Sequence, residues 1–344
     1  MLRVGVIGSG RAGSAIARAI SALGGHDLVG NAPDAGESGT GVAGVPVALV
    51  AVADADGSAA QALADELGVV CLRPRAVPPL VDVTVLAVPD DAIAAAAADL
   101  STATVTTATV TTATDPAAIE ADRSGPPPAR IVVHCSGARD EGPLQALADA
   151  GWVVGCWHPL QAFPTPGTSV EPGITWAITG GYDVTRVLMT LTEALGGEPL
   201  VLPATAKARY HAAATLASNY CVTLMAHAAR LLGDVGMSPE AASQALLALL
   251  RTTLSGVAQA GLPGGLTGPL VRGDFGTVRS HLDELGDRPD TLALYRAAGR
   301  ATVCLLADRG LPPAVVAEAA RLMGAEPGPV NLSTGRQGGA PGQS

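Results

Sequence analysis

The sequence predicts an α/β protein: a doubly wound parallel sheet first, then an all-α C-terminal domain. Three observations carry this. Short runs rich in Val, Ile and Leu alternate with Ala-rich helical stretches through roughly residue 200. Those runs are apolar throughout rather than at every second residue, which marks strands covered on both faces by helices. Beyond residue 207 the strand-like runs stop and only helical patterns follow.

The elements read as follows. Leu2–Ile7 is the first strand, followed by a helix over 11–23 that stops at Gly24-Gly25. A Gly-, Asp- and Ser-rich insertion at 31–44 separates that helix from the second strand, Val47–Ala53. A helix over 58–67 starts on a Ser cap. The third strand, 81–88, is stopped by Pro89-Asp90-Asp91, and a helix follows at 92–100. A low-complexity Ala/Thr/Val tract at 101–114 reads as either a frayed strand or a loop. Strands are expected at 130–135, 152–156 and 174–179, with a helix at 143–150. Long helices are expected at 208–232, 239–254 and 292–309, with a short one at 312–323. This divides the chain into 1–203, 204–325 and a tail, 326–344, whose Gly, Pro and Ser content predicts disorder.

Composition narrows the function. The chain has 344 residues, enough for one large domain or two ordinary ones. A net charge of −10 argues against a nucleic-acid partner and against an anionic membrane surface. A strand beginning at residue 2 leaves no room for a signal peptide, and turn residues break every apolar stretch of membrane-spanning length. Five cysteines show neither CxxC nor zinc-ligand spacing, so no metal site is expected, and Cys135 and Cys156 read as free buried thiols. The expectation is a reduced, cytoplasmic protein.

Gly8-Ser9-Gly10-Arg11-Ala12-Gly13 fits G-x-G-x-x-G between a strand and a helix, the setting that makes it a dinucleotide fingerprint. The first Gly makes the turn, the second lets a diphosphate approach the backbone, and the third lets helix and strand pack. The helix start adds free N–H groups and a positive dipole end. An acidic residue after the second strand holds the adenosine ribose hydroxyls. Asp54 fills that place, delayed by the insertion, and Asp27 stands at the nominal distance as the second candidate. An acid there favours NAD, whereas Arg11 beside a phosphate favours NADP, so the choice stays open. A capping role is the plainer reading of Asp54.

Further motifs follow in order: Leu86-Ala87-Val88-Pro89-Asp90-Asp91, His134-Cys135-Ser136-Gly137-Ala138, His158-Pro159-Leu160-Gln161-Ala162-Phe163, Tyr210-His211-Ala212-Ala213-Ala214 and Leu266-Thr267-Gly268-Pro269-Leu270-Val271-Arg272-Gly273-Asp274. With these the chain resembles, over about residues 1–310, the Rossmann-like proteins that carry a DUF2520 domain. They belong to the 6-phosphogluconate dehydrogenase-like superfamily, beside pyrroline-5-carboxylate reductase, prephenate dehydrogenase and the β-hydroxyacid dehydrogenases. The resemblance implies a Rossmann domain, NADP or NAD as cofactor, and an oxidoreductase with a small-molecule substrate. It also implies that Val88, Pro89 and Ser136 flank the nicotinamide ribose, and that helical domains pair into a homodimer.

Lys207 is the sole lysine against 20 arginines, suggesting a site where a guanidinium will not serve. His211, Thr215 and Asn219 follow at spacings of four and form one polar helix face. β-Hydroxyacid dehydrogenases place a catalytic Lys with an Asn four residues later, so the resemblance implies catalytic roles for Lys207, His211 and Asn219. In this chain His211 occupies the Asn position. A similar His-Pro turn faces substrate in prephenate dehydrogenases, which implies substrate contact for His158. Arg272 suits a bidentate grip on a substrate carboxylate, with Asp274 orienting Arg272 or His281. A solvent-facing polar stripe and a loop salt bridge are the plainer readings. The function expected is hydride transfer to or from a small oxo or hydroxy acid, ketopantoate-like by resemblance. The alternatives are imine reduction of the pyrroline-5-carboxylate reductase type and a nucleotide-binding sensor without turnover.

Overall fold

The structure, a computed structural model, describes residues 1–24, 45–102 and 130–324. The insertion at 31–44, the Asp27 candidate, the Ala/Thr/Val tract beyond 102 and the tail lie outside the described residues. Contacts divide the chain into two compact units, Met1–Asn219 and Tyr220–Ser344.

Among the described residues the first unit is built on an eight-stranded sheet of β1 Leu2–Ile7, β2 Val47–Ala53, β3 Val70–Cys71, β4 Val83–Leu86, β5 Ile131–His134, β6 Val153–Pro159, β7 Thr175–Gly180 and β8 Glu198–Val201. Their order is β3-β2-β1-β4-β5-β6-β7-β8, the doubly wound arrangement over its first six strands. The expected wholly parallel sheet needs correction at one edge, because β7 runs antiparallel to β6. No helix interrupts 160–174, and without a helical crossover the chain turns straight back beside the strand it left. The fold is a mostly parallel α/β sheet followed by helices alone.

Helices α1 Arg11–Gly24, α2 Gly57–Leu67, α3 Ile93–Ser101, α4 Gln145–Asp149 and α5 Tyr182–Ala194 cover the sheet. One face buries Val4, Val6, Val83 and Val133 under Ile16, Ile20, Leu63, Leu188 and Leu191. The other buries Ile7, Leu86 and Val132 under Ile93, Ala97, Leu100 and Leu147. Each central strand therefore sends successive side chains into two apolar layers, which explains its unbroken apolar sequence. The cap of α2 is Asp56 rather than Ser58: its carboxylate accepts the N–H groups of Ser58 and Ala59. A carboxylate at this end also opposes the positive pole of the helix.

The helix expected over 208–232 is two helices, α6 Lys207–Ala217 and α7 Asn219–Asp234. Ser218, at φ −105° and ψ −73°, interrupts them. Beyond α7 follow α8 Pro239–Gly265, α9 Pro269–Arg272, α10 Phe275–Glu284, α11 Pro289–Asp308 and α12 Pro313–Leu322. Val303, Leu306 and Ala319 centre the core of this second unit, with Leu266, Leu270 and Phe275 against it. Helix α8 runs 27 residues, with Gly261 at φ 72° as a kink. By length and composition it is apolar enough to cross a membrane, with Gly261 and Pro263 breaking its last turns.

Candidate functional site

The loop from β1 into α1 has the geometry that its glycines foretell. Gly8 sits at φ 112°, and a Cβ there would strike the Ala87 carbonyl. A Cβ on Gly13 would strike the Gly8 carbonyl. These two glycines serve internal packing. Gly10 differs: nothing lies within 4 Å of its Cβ position, so its missing side chain leaves room for something outside the fold. The first turn of α1 carries no acidic residue, so no side chain of its own answers the positive end of the helix there. Arg11 is exposed beside it. A diphosphate fits this cradle.

Asp54 stands directly after β2, as expected. Its carboxylate accepts the Ser9 N–H and the Ser9 hydroxyl, the latter at 2.8 Å, and the Asp56 N–H at 3.0 Å. Burial alone would raise its pKa, but the hydrogen bonds from Ser9, Asp56 and Ala55 outweigh burial and hold it below the ordinary value. Asp54 thus ties the second strand to the glycine loop, and the carboxylate retains acceptor capacity for hydroxyls. Ser14 of α1 donates to the Pro166 carbonyl at 2.9 Å, which anchors the 160–174 loop beside the cradle. That contact had no signal in the sequence.

At the carboxyl edges of β4 and β5 the chain forms a latch centred on Ser136. Its hydroxyl donates to Asp90 at 2.8 Å and accepts the N–H groups of Ala138 and Arg139. Its N–H donates to His134 Nδ1, and its carbonyl accepts Lys207 Nζ at 2.7 Å. His134 is fully buried and bound at Nε2 to the Asp140 carbonyl, while burial, above all, lowers its pKa. Val88 and Pro89 border this latch on the β4 side, Val88 half-buried and Pro89 exposed. Cys135 and Cys156 are free thiols whose pKa burial pushes up to about 12.

Lys207 is 1% exposed. Burial lowers its pKa, partly offset by Cys156, Glu141, Cys135 and Asp90. One turn on come Tyr210, which bonds His158, and His211, which borders Gly137. The Tyr210 hydroxyl lies 2.8 Å from His158 Nδ1, and the rings meet edge to face with centroids 5.5 Å apart. The His211 ring stands 6.3 Å from that of His158. A Cβ on Gly137 would come within 2.6 Å of His211 Cδ2 and 2.7 Å of His158 Nε2, so only glycine admits both imidazoles. Burial first, then Lys207 and His211, lowers the His158 pKa to about 4, so it is neutral at pH 7.

The expected polar stripe divides. Lys207 points into the α/β unit, and Thr215 bonds the His211 carbonyl of its own helix. Asn219 is exposed and opens the next helix. Arg272 is exposed at the end of α9 in the second unit. Asp274 corrects its expected orienting role: it caps α10 by accepting the Thr277 N–H and hydroxyl. His281 bonds Tyr295 instead. Tyr210 and Asp90 are the site residues that sequence reasoning left without a role. The i, i+3 spacing of Tyr210 from Lys207 placed it on the same helix face.

Residues 174–302 match the model of DUF2520, a domain of unknown function. A search of curated protein sequences finds no match. Among solved structures, the fold is similar to a Bacteroides fragilis protein described as an NADP oxidoreductase, at 18% identity and a TM-score of 0.61, covering 87% of this chain and 97% of that one. A Thermotoga maritima protein gives 20% identity and 0.58, covering 92% and 99%. A pyrroline-5-carboxylate reductase from Coxiella burnetii gives 14% and 0.51, covering 93% and 98%. At these identities the likeness speaks for the fold.

Proposed function

We propose that the chain is an NAD(P)-dependent oxidoreductase that moves hydride between a pyridine dinucleotide and a small oxo or hydroxy acid. One observation carries the reading: of the three fingerprint glycines, two are packed against backbone and the middle one faces open space. A turn that needed glycine only for its own folding would not require one at position 10. The dinucleotide, when bound, supplies or accepts the hydride.

The loop Gly8, Ser9, Gly10, Arg11, Ala12 and Gly13 holds the diphosphate. Asp54 takes the adenosine ribose hydroxyls and disfavours a 2′-phosphate by like charge. Val88, Pro89 and the turn after Ser136 border the nicotinamide half, at the sheet edge where ligands bind in open α/β folds. The Ser136 side chain is spent on Asp90, so its part is to shape that turn. His158 contacts substrate, with His211 beside it. Lys207 supports the turn through the Ser136 carbonyl. A role for Asn219, as for a carboxylate clamp by Arg272, is open to substitution; Arg272→Lys keeps the charge and removes the fork. A ketopantoate-like acid is the substrate class first tested. Imine reduction is the second reading, favoured by the shared fold with the Coxiella burnetii reductase.

Apolar side chains left in water on α8, among them Leu247 and Leu254, support a homodimer through the helical unit. The cytoplasm, where reduced dinucleotide is at hand, suits such an enzyme. The test is absorbance of reduced NADPH and NADH against a panel of oxo acids and cyclic imines. Oxidation with at least one oxo acid is expected. Tight nucleotide binding with no turnover across the panel would replace the enzyme with a sensor.

A further inference from the structure

We propose that Tyr210 and His158 form a proton relay that protonates the substrate oxygen as hydride arrives; this rests on the oxidoreductase reading. The geometry is specific. The phenol hydroxyl lies 2.8 Å from Nδ1, and the perpendicular rings let it approach in the plane of the imidazole. If Tyr210 donates, Nδ1 is the acceptor and the imidazole proton resides on Nε2. Nε2 borders the slot left by the missing Gly137 side chain, and among the described residues it has no hydrogen-bond partner. Nδ1 is thus held by a proton source, and Nε2 is directed at the turn where the nicotinamide half is placed.

Two of the neighbouring donors are already committed, while the third, His211, borders the same slot without a side-chain hydrogen bond among the described residues. Lys207 Nζ is fixed on the Ser136 carbonyl, and the Ser136 hydroxyl on Asp90. Lys207 is therefore a positioning residue that holds the turn facing His158. The charged and titratable groups acting on His158 are Lys207, His211, Asp90 and His134; burial, Lys207, His211 and His134 favour the neutral ring and outweigh Asp90, which favours the charged one. A neutral imidazole cannot act alone as a strong acid; backed by a phenol, it passes a proton on without ever carrying net charge.

The step balances. The substrate carbonyl carbon gains hydride, two electrons and one proton, and the dinucleotide is oxidised. The carbonyl oxygen takes the proton from Nε2, while Nδ1 takes the phenolic proton. Tyr210 is left as phenolate and regains a proton from water. Burial pushes Tyr210 up to about 12, yet an alkoxide is more basic still, so the transfer runs toward product. An iminium carbon needs no such proton. The relay therefore points to a carbonyl substrate rather than an imine.

The test is Tyr210→Phe, with melting temperature checked. Turnover of the oxo acid should fall about 10²–10⁴-fold, with KM and dinucleotide affinity unchanged and the solvent deuterium isotope effect altered. Nitrogen-15 NMR of His158 in the free protein should show Nδ1 unprotonated, and this preference should weaken in the variant. Wild-type turnover in Tyr210→Phe, or an Nδ1 that carries the proton, would overturn the relay. Failure of the wild type to bind either dinucleotide would instead remove the oxidoreductase reading, and the NMR result would still decide the tautomer.

Discussion

Replacing Gly137 with alanine adds one methyl group where two imidazoles converge. The new Cβ would lie 2.6 Å from His211 Cδ2 and 2.7 Å from His158 Nε2, whereas ordinary contact begins at 3.4 Å. Both rings, or the turn itself, must retreat by about 0.7–0.8 Å in total, since the interior has no slack to absorb it. Overpacking of this kind costs about 1–3 kcal/mol of stability. A displacement approaching 1 Å at a reacting group costs about 10²-fold in kcat/KM, equivalent to about 2.7 kcal/mol of barrier. The proposed diphosphate end of the cradle is built from β1, α1 and β2, away from this turn, so nucleotide affinity should fall far less than kcat/KM. The assay pairs steady-state reduction of the best oxo acid with calorimetric nucleotide binding and a melting curve. A Gly137→Ala protein with undiminished kcat/KM and unmoved His158 and His211 resonances would refute the placement of substrate against these rings.

Other outcomes follow from the same geometry. Lys207→Met should leave a buried Ser136 carbonyl without its donor and cost about 1–3 kcal/mol, read by urea denaturation; unchanged stability would show that Lys207 does not hold the turn. His158 has its pKa lowered from 6.5 to about 4, so the unfolded chain binds more protons between those values. The associated stability is present above pH 6.5 and lost as pH falls toward 4, by about 3 kcal/mol, and His158→Asn should flatten that part of the profile. Asp54→Ala should weaken NADH more than NADPH in calorimetric titration; equal losses would separate Asp54 from the ribose. Leu247 and Leu254 lie seven residues apart on one face of α8 and are 41% and 59% exposed. Changing both to Glu should convert a dimer into a monomer by light scattering, and an unaltered mass would place the interface elsewhere.

Much of the α/β half was legible because strands covered on both faces must be apolar throughout. β1 and β2 have the boundaries expected from sequence. Elements that depend on tertiary context were not legible. α5 is rich in Val and Thr, poor helix formers, and is made helical by burying Val184, Leu188 and Leu191. β8 is a four-residue edge strand, exposed over much of its length, whose short Leu200-Val201 run is enclosed by Pro199 and Pro203. α10 hides its start behind Arg272-Gly273-Asp274, whose acid reads as a charge partner until its cap bonds are seen.

The site divides in the same way. The glycine loop is local, so its spacing announced it, and Asp54 was found by counting to the end of β2. The Ser136 latch joins residues 46 and 71 positions apart, and the bond between His158 and Tyr210 spans 52. No periodicity records such pairs. The lone lysine drew attention for its chemistry, yet its charge is consumed in holding a carbonyl. The tyrosine beside it, unremarkable by composition, faces the histidine.

Gly10→Val tests the central claim most directly. Its Cβ position has no neighbour within 4 Å, so the free protein should fold and melt as the wild type does. The added branches would fill the space reserved for the diphosphate. Calorimetry should register binding of reduced dinucleotide to the wild type and none to the variant at equal melting temperature. Undiminished binding by Gly10→Val would contradict the account.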